Sequence, residues 1–131
     1  MSKEAAKDRF LNVFKEIVDE LTGILVSYKM PKEAITWFQN NLNYNTPGGK
    51  LNRGLSVVDT YAILNNTTAD KLDDETYRKV AILGWAIELL QAYFLVADDM
   101  MDQSETRRGQ LCWYLNEGVG IIAINLSLIH I

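Results

Sequence analysis

The chain has 131 residues, enough for one domain with a real hydrophobic core. Its mixture, 48% hydrophobic and 23% charged with a net charge of −4, is that of an ordinary soluble protein and argues against a nucleic-acid-binding domain, where a basic patch should dominate. A single cysteine, Cys112, excludes an intramolecular disulfide and fits a reduced, cytoplasmic setting, and the charged N-terminus carries no apolar signal core.

Apolar residues recur at helical spacing over residues 3–29 (Phe10, Val13, Phe14, Ile17, Val18, Leu21, Ile24, Leu25), which predicts a first helix. Pro31 fits the first turn of a second helix, where its missing N–H costs nothing; that helix should run to about residue 42 and bury Ile35, Trp37 and Phe38. Asn-Thr-Pro-Gly-Gly at 45–49 reads as a loop. A third helix is expected to begin at Leu51 or Arg53 and run to residue 64, with Leu55, Val58, Tyr61 and Ala62 inward. After a polar connector at 65–70, Asp73, Asp74 and Glu75 place negative charge where a helix N-terminus favours it, at the start of a fourth, long helix ending among residues 99–102. Residues 104–109 read as a charged loop, and the apolar residues 118–131 are expected to begin a fifth helix. No strand alternation is visible, so the fold class is all-α.

Residues 80–97 are apolar except for Gly84, Glu88 and Gln91, close to the minimum length of a bilayer span. Glu88 and Gln91 would then lie near mid-bilayer, where such groups are costly. The central helix of a soluble bundle has the same signature, and no membrane span is expected.

The most informative stretch is Asp98-Asp99-Met100-Met101-Asp102. Carboxylates are electrostatically unfavourable at a helix C-terminus and need a compensating cation. Asp98 and Asp102 are one turn apart on one face, a spacing that suits magnesium, which takes one or two carboxylates together with substrate phosphates. The bland alternative is a solvated helix end whose acids pair with Arg107 and Arg108. Gln91 lies two turns before Asp98 on the same face, and Phe94 one turn before it with Tyr93 alongside, so the acidic face continues into an aromatic floor that could equally be plain core.

Arg107 and Arg108 offer planar forks suited to phosphate oxygens, unless they only balance the acids. In Pro47-Gly-Gly-Lys-Leu-Asn-Arg-Gly, glycines would let the backbone approach an anion that Lys50 and Arg53 could share. It is no P-loop, because no Ser or Thr follows Lys50 and no strand precedes it. One metal site and two cationic sites with an apolar slot between them match a ligand with a diphosphate head and a hydrocarbon tail. His130, the only histidine, has no partner nearby in sequence, and Cys112 reads as a small buried side chain.

Three stretches in order, Gly48-Gly-Lys-Leu-Asn-Arg-Gly-Leu-Ser-Val-Val-Asp, Glu88-Leu-Leu-Gln-Ala-Tyr-Phe-Leu-Val-Ala-Asp-Asp-Met-Met-Asp and Thr106-Arg-Arg-Gly-Gln, resemble farnesyl diphosphate synthases of the trans-isoprenyl diphosphate synthase family, particularly the fungal and animal type. The resemblance implies the N-terminal helices of the isoprenoid synthase bundle over residues 1–125, truncated, with a divergent tail at 126–131. It implies head-to-tail prenyl transfer with magnesium held by Asp98 and Asp102 and supported by Asp99. Arg107 would bind the allylic diphosphate, and Lys50, Arg53, Gln91 and Arg108 the isopentenyl diphosphate. Tyr93 and Phe94 match positions that limit product length. A homodimer is implied as well. Family chains are longer and carry a second aspartate-rich motif not seen here, so this chain alone is expected to be a weak or inactive catalyst. The competing readings are a noncatalytic helical fragment acting through helix–helix association and a terpene cyclase. A cyclase would have no use for the Gly-Gly-Lys-x-x-Arg site.

Overall fold

The long apolar run forms α4, Asp74–Met101, and the other elements are arranged around it. The computed structural model describes residues 2–126, in which α1 spans Lys3–Ser27, α2 Lys32–Asn45 and α3 Asn52–Leu64. A minimal antiparallel hairpin follows α4, with β1 at Thr106–Arg107 and β2 at Gln110–Leu111. Short 3-10 turns occupy Ala69–Lys71, Trp113–Leu115 and Gly120–Leu126.

Each helix starts where local chemistry allows it. The Ser2 side chain accepts the Ala5 N–H at the head of α1, and Asp73 accepts the Thr76 N–H at the head of α4. Pro31 stands at the N-cap position of α2, just before the first helical residue. α3 has no side-chain cap of its own, since Leu51 occupies the N-cap in the left-handed region (φ 56°); the Gly54 N–H is instead satisfied from another helix by Glu88 Oε1 at 2.8 Å.

The core is built on Trp85, which is fully buried. Its ring stacks on Phe10 (4.4 Å between centroids, 12° between planes) and lies tilted against Phe14 at 4.6 Å. Its indole N–H donates to the Phe10 carbonyl at 2.9 Å. Val13, Val18, Phe38, Leu42, Leu51, Val58, Tyr77, Val80 and Ala81 complete this cluster. A smaller one gathers Val96, Trp113, Val119 and Ala123 with Trp37 and Tyr44. Arg9 ties α1 to the start of α4 by bonding the Ala69 and Leu72 carbonyls and Asp74, with its guanidinium 3.8 Å over the Tyr77 ring.

α3 and α4 cross at glycines. A Cβ on Gly84 would stand 2.6 Å from the Gly54 carbonyl oxygen, a backbone atom that cannot swing aside. Gly84→Ala should therefore push the helices apart. We expect a loss of about 2 kcal/mol in chemical denaturation, even though alanine is favoured over glycine in a helix by about 1 kcal/mol.

Several expectations are corrected. Tyr61 is 37% exposed and Ile24 44%. The inward face of α3 runs through Gly54, Val58 and Ala62, leaving Tyr61 at its edge, while Leu21 and Leu25 take the inward positions of α1 and turn Ile24 outward. The charged loop contains the β1–β2 hairpin, too short for alternation to register. The fifth helix is a 3-10 stretch where it is described, with Gly118 before it and Gly120 at its start both at positive φ. Residues 127–131, with His130 and all but the first position of the divergent tail, lie outside the described residues.

Among the described residues α4 alone is long and apolar enough to cross a membrane by length and composition. One side of it is buried against α1 and α3 through Tyr77, Ala81, Trp85, Glu88 and Ala92. The opposite stripe, Leu83, Ile87, Leu90 and Phe94, is exposed and leads to Asp98.

Candidate ligand site at the C-terminal end of the long helix

The acids divide by burial. Asp98 and Asp102 are exposed, whereas Asp99 is only 3% exposed. The Asp102 N–H donates to the Asp98 carbonyl at 2.8 Å, so the helical register holds through Asp102 and the two exposed carboxylates stack on one face. No basic side chain pairs with either of them among the described residues. Asp99 is engaged by Arg107, whose Nε lies 2.8 Å from both carboxylate oxygens and whose Nη2 lies 2.7 Å from Oδ1. The hydrogen bond to Asp99 raises the Arg107 pKa above its usual value, with the charges of Asp99 and Asp98 adding to it. Burial, and then the hydrogen bond and charge of Asp99, push the adjacent Cys112 thiol up, which keeps it neutral and inert. The expected small buried side chain is found at Cys112.

The hairpin carries the second arginine to the glycine loop. Its two-residue turn is Arg108–Gly109, with φ of 55° and 77°, the positive pair that a type I′ turn requires. From there Arg108 Nη1 donates to the Asn45 carbonyl at 3.2 Å, placing a cation on the C-terminal end of α2. Gln110 donates to the Tyr44 carbonyl at 3.2 Å, and the Tyr44 hydroxyl donates to the Leu111 carbonyl at 2.6 Å. The Arg108 guanidinium packs on Gly48 and Gly49, where a Cβ on Gly49 would stand 2.9 Å from Nη2. A Cβ on Gly49 would shift the end of the Arg108 side chain, whereas one on Gly48 would meet it at an ordinary contact distance of 3.5 Å.

Lys50 is exposed and immediately precedes Leu51, and Arg53 is exposed in the first turn of α3. The Glu88–Gly54 bond sets that turn against α4 one helical turn before Gln91, which is half-buried. Tyr93 is half-buried and Phe94 is 53% exposed, with their rings 5.6 Å apart. The structure therefore joins the glycine loop, the arginine hairpin and the acidic helix end through Arg108 and Arg107.

Two residues of this region escaped the sequence reading. Glu88, 5% exposed, was visible only as a charge in an apolar run, yet it caps α3. Lys7 donates to the Gly49 carbonyl at 3.3 Å, and nothing in the sequence distinguishes it from a solvated lysine.

Among the described residues no group of three or more His, Cys, Asp or Glu side chains forms a metal cage. The donor set is two exposed carboxylates one turn apart. It fits a hard cation that draws its remaining oxygens from water and a phosphorylated ligand, as magnesium does.

Residues 35–130 match the polyprenyl synthetase family. The chain is 77% identical over 125 residues to the farnesyl pyrophosphate synthase of Candida albicans, covering 95% of this chain and 36% of that protein. It is 69% identical over 123 residues to the corresponding enzyme of Saccharomyces cerevisiae, covering 94% and 35% respectively. Among solved structures, the T. brucei farnesyl diphosphate synthase in complex with homorisedronate superposes with a TM-score of 0.81 at 35% identity, covering 95% of this chain and 35% of that one. The chain thus spans about a third of the length of the curated relatives it matches.

Proposed function

This chain belongs to the polyprenyl synthetase family, and from that premise we propose that it supplies the first aspartate-rich motif and both cationic loops of a farnesyl diphosphate synthase site. The reaction is head-to-tail condensation of isopentenyl diphosphate with dimethylallyl or geranyl diphosphate. The observation that carries this reading is the hairpin, whose adjacent arginines touch the acidic end of α4 on one side and the Gly48–Gly49 loop on the other.

Asp98 and Asp102 are the residues that would hold magnesium against the allylic diphosphate, with Asp99 behind them. When bound, magnesium supplies positive charge to the departing diphosphate. Arg107 binds that same diphosphate with the part of its guanidinium that Asp99 leaves free. Lys50, Arg53, Gln91 and Arg108 hold the isopentenyl diphosphate. These groups keep two highly charged heads side by side and orient the two hydrocarbon tails for reaction. Loss of the allylic diphosphate leaves a carbocation that the isopentenyl double bond attacks, and a proton then passes to the released diphosphate. Tyr93 and Phe94 place aromatic bulk one turn above Asp98, where it would stop elongation near fifteen carbons. α4 is read as the core helix of a bundle, with its buried Glu88 used for capping, and not as a membrane span. The same reading extends to a cytoplasmic homodimer.

The direct test is calorimetric titration of the chain with inorganic pyrophosphate, with and without magnesium. Binding should require magnesium, and equal binding in its absence overturns the reading. Arg108→Asn separates charge from turn geometry, because Asn-Gly is a favoured type I′ pair. Pyrophosphate affinity should fall about tenfold or more, the worth of a hydrogen bond to a charged group. The melting temperature should hold, since relief of the left-handed arginine offsets the lost contact with the Asn45 carbonyl.

A further inference from the structure

The turn that carries Lys50 and Arg53 is held at both ends from outside. At its front, Lys7 of α1 donates through Nζ to the Gly49 carbonyl at 3.3 Å, across 42 residues of sequence. At its back, Glu88 of α4 accepts the Gly54 N–H at 2.8 Å. Between these two bonds Leu51 is left-handed and buried, while Lys50 and Arg53 are exposed. Two cations are therefore displayed from a short backbone segment whose ends are fixed by α1 and α4.

The first of these bonds has a direction. The Gly49–Lys50 peptide is trans, and in a trans peptide the C=O and the following N–H point to opposite sides. With the Gly49 carbonyl turned to Lys7, the Lys50 N–H is turned away from it. Among the described residues that N–H meets no backbone acceptor. It stands just before the N-terminus of α3, where the helix dipole favours an anion. Glycine has a wide choice of backbone angles, so residue 49 by itself would not keep the peptide in this orientation.

Charge points the same way. The Arg108 guanidinium packs on Gly48 and Gly49, so Lys7, Lys50 and Arg108 are brought to one peptide. Like charges so placed repel. Among the described residues no carboxylate pairs with Lys7, Lys50, Arg53 or Arg108. A multiply charged anion on the Lys50 N–H side would relieve that repulsion. Lys7 is half-buried and committed to the carbonyl, so it stands behind the peptide and out of contact with such an anion.

We propose that Lys7 is a positioning residue for the isopentenyl diphosphate: from α1 it fixes the Gly49–Lys50 peptide so that the Lys50 N–H and the flanking cations face the phosphate oxygens. This rests on the diphosphate site proposed above, and it extends that site to α1, which none of the three motif stretches includes.

The test is NMR of the whole chain titrated with inorganic pyrophosphate in the presence of magnesium, following the Gly49 carbonyl carbon and the Lys50 amide. Before pyrophosphate is added, Lys7→Met should move both resonances, and Lys7→Arg, which keeps a charged donor, should return them towards the wild type. Pyrophosphate affinity should fall about tenfold in Lys7→Met and recover in Lys7→Arg to within about twofold of the wild type. Lys15→Met removes the same charge from an exposed position two turns further along α1, roughly 12 Å away. It should leave the affinity within about twofold, because that distance is screened. The melting temperature of Lys7→Met should stay within about 2 °C of the wild type. Unmoved resonances in anion-free Lys7→Met, or an affinity equal to the wild type, overturn the proposal. So does an equal loss in Lys15→Met, which would make net charge the cause, or an affinity of Lys7→Arg no better than that of Lys7→Met. Loss of the fold in Lys7→Met also overturns it, because the residue would then be holding the bundle together. If the wild type binds no pyrophosphate, the diphosphate reading itself falls and the proposal falls with it.

Discussion

Replacing Trp85 with alanine is expected to cost about 4 kcal/mol of folding stability, a large part of the roughly 5–15 kcal/mol typical of a domain. The ring is fully buried, stacked on Phe10 and packed against Phe14, and its N–H satisfies the Phe10 carbonyl. Alanine would leave a cavity between α1 and α4 that neither helix can close, because their approach is also fixed by Phe10 lying against Gly54 and Gly84. Urea unfolding followed by circular dichroism measures the loss. Phe94→Ala is the matched comparison on the opposite side of α4. Its ring is 53% exposed, and its removal should change stability by less than about 1 kcal/mol. Similar losses for the two variants would mean that the exposed stripe of α4 contributes as much to the fold as the α1 side.

The contrast between Trp85 and Phe94 shows what the sequence alone makes legible. Periodicity located four helices, because helical spacing and the chemistry of helix ends are local: Asp73, Asp74 and Glu75 stand at the head of α4 as expected, and Phe10, Val13, Phe14 and Val18 turn inward. In α4 nearly every position is apolar, so periodicity could not say which side is core. That is decided by glycines. Gly54 and Gly84 allow the α3–α4 approach that buries Trp85 and Glu88, and no pattern along one sequence reveals a contact between two backbones.

The site divides in the same way. Residue types and spacing were enough to single out Asp98, Asp102, Arg107, Arg108, Lys50 and Arg53. The burial of Asp99 against Arg107 was not legible, because it depends on how the hairpin packs on α4 and not on spacing along the helix. Nor was the role of the left-handed residues. Leu51 and Arg108 have φ of 56° and 55°, a conformation that costs a non-glycine residue roughly 1 kcal/mol or more. Burial of the Leu51 side chain at 2% exposure offsets that strain, and the result is that Lys50 and Arg53 flank a fixed turn.

Asp98→Asn should show function and stability moving in opposite directions. The carboxylate is exposed in the last turn of α4, where the helix dipole repels it, and it pairs with no basic side chain among the described residues. Asparagine keeps the shape and removes the charge, so the melting temperature should rise by about 2 °C. Magnesium-dependent pyrophosphate affinity should fall about 100-fold, because Asp102 alone cannot hold the cation against a multiply charged ligand. Asp98→Glu keeps the charge one methylene further out and should recover part of the affinity with no gain in melting temperature. A fall in both quantities for Asp98→Asn would mean that the acid end of α4 is structural, a solvated helix terminus stabilised by contacts of its own. Unchanged affinity would remove Asp98 from the proposed ligands.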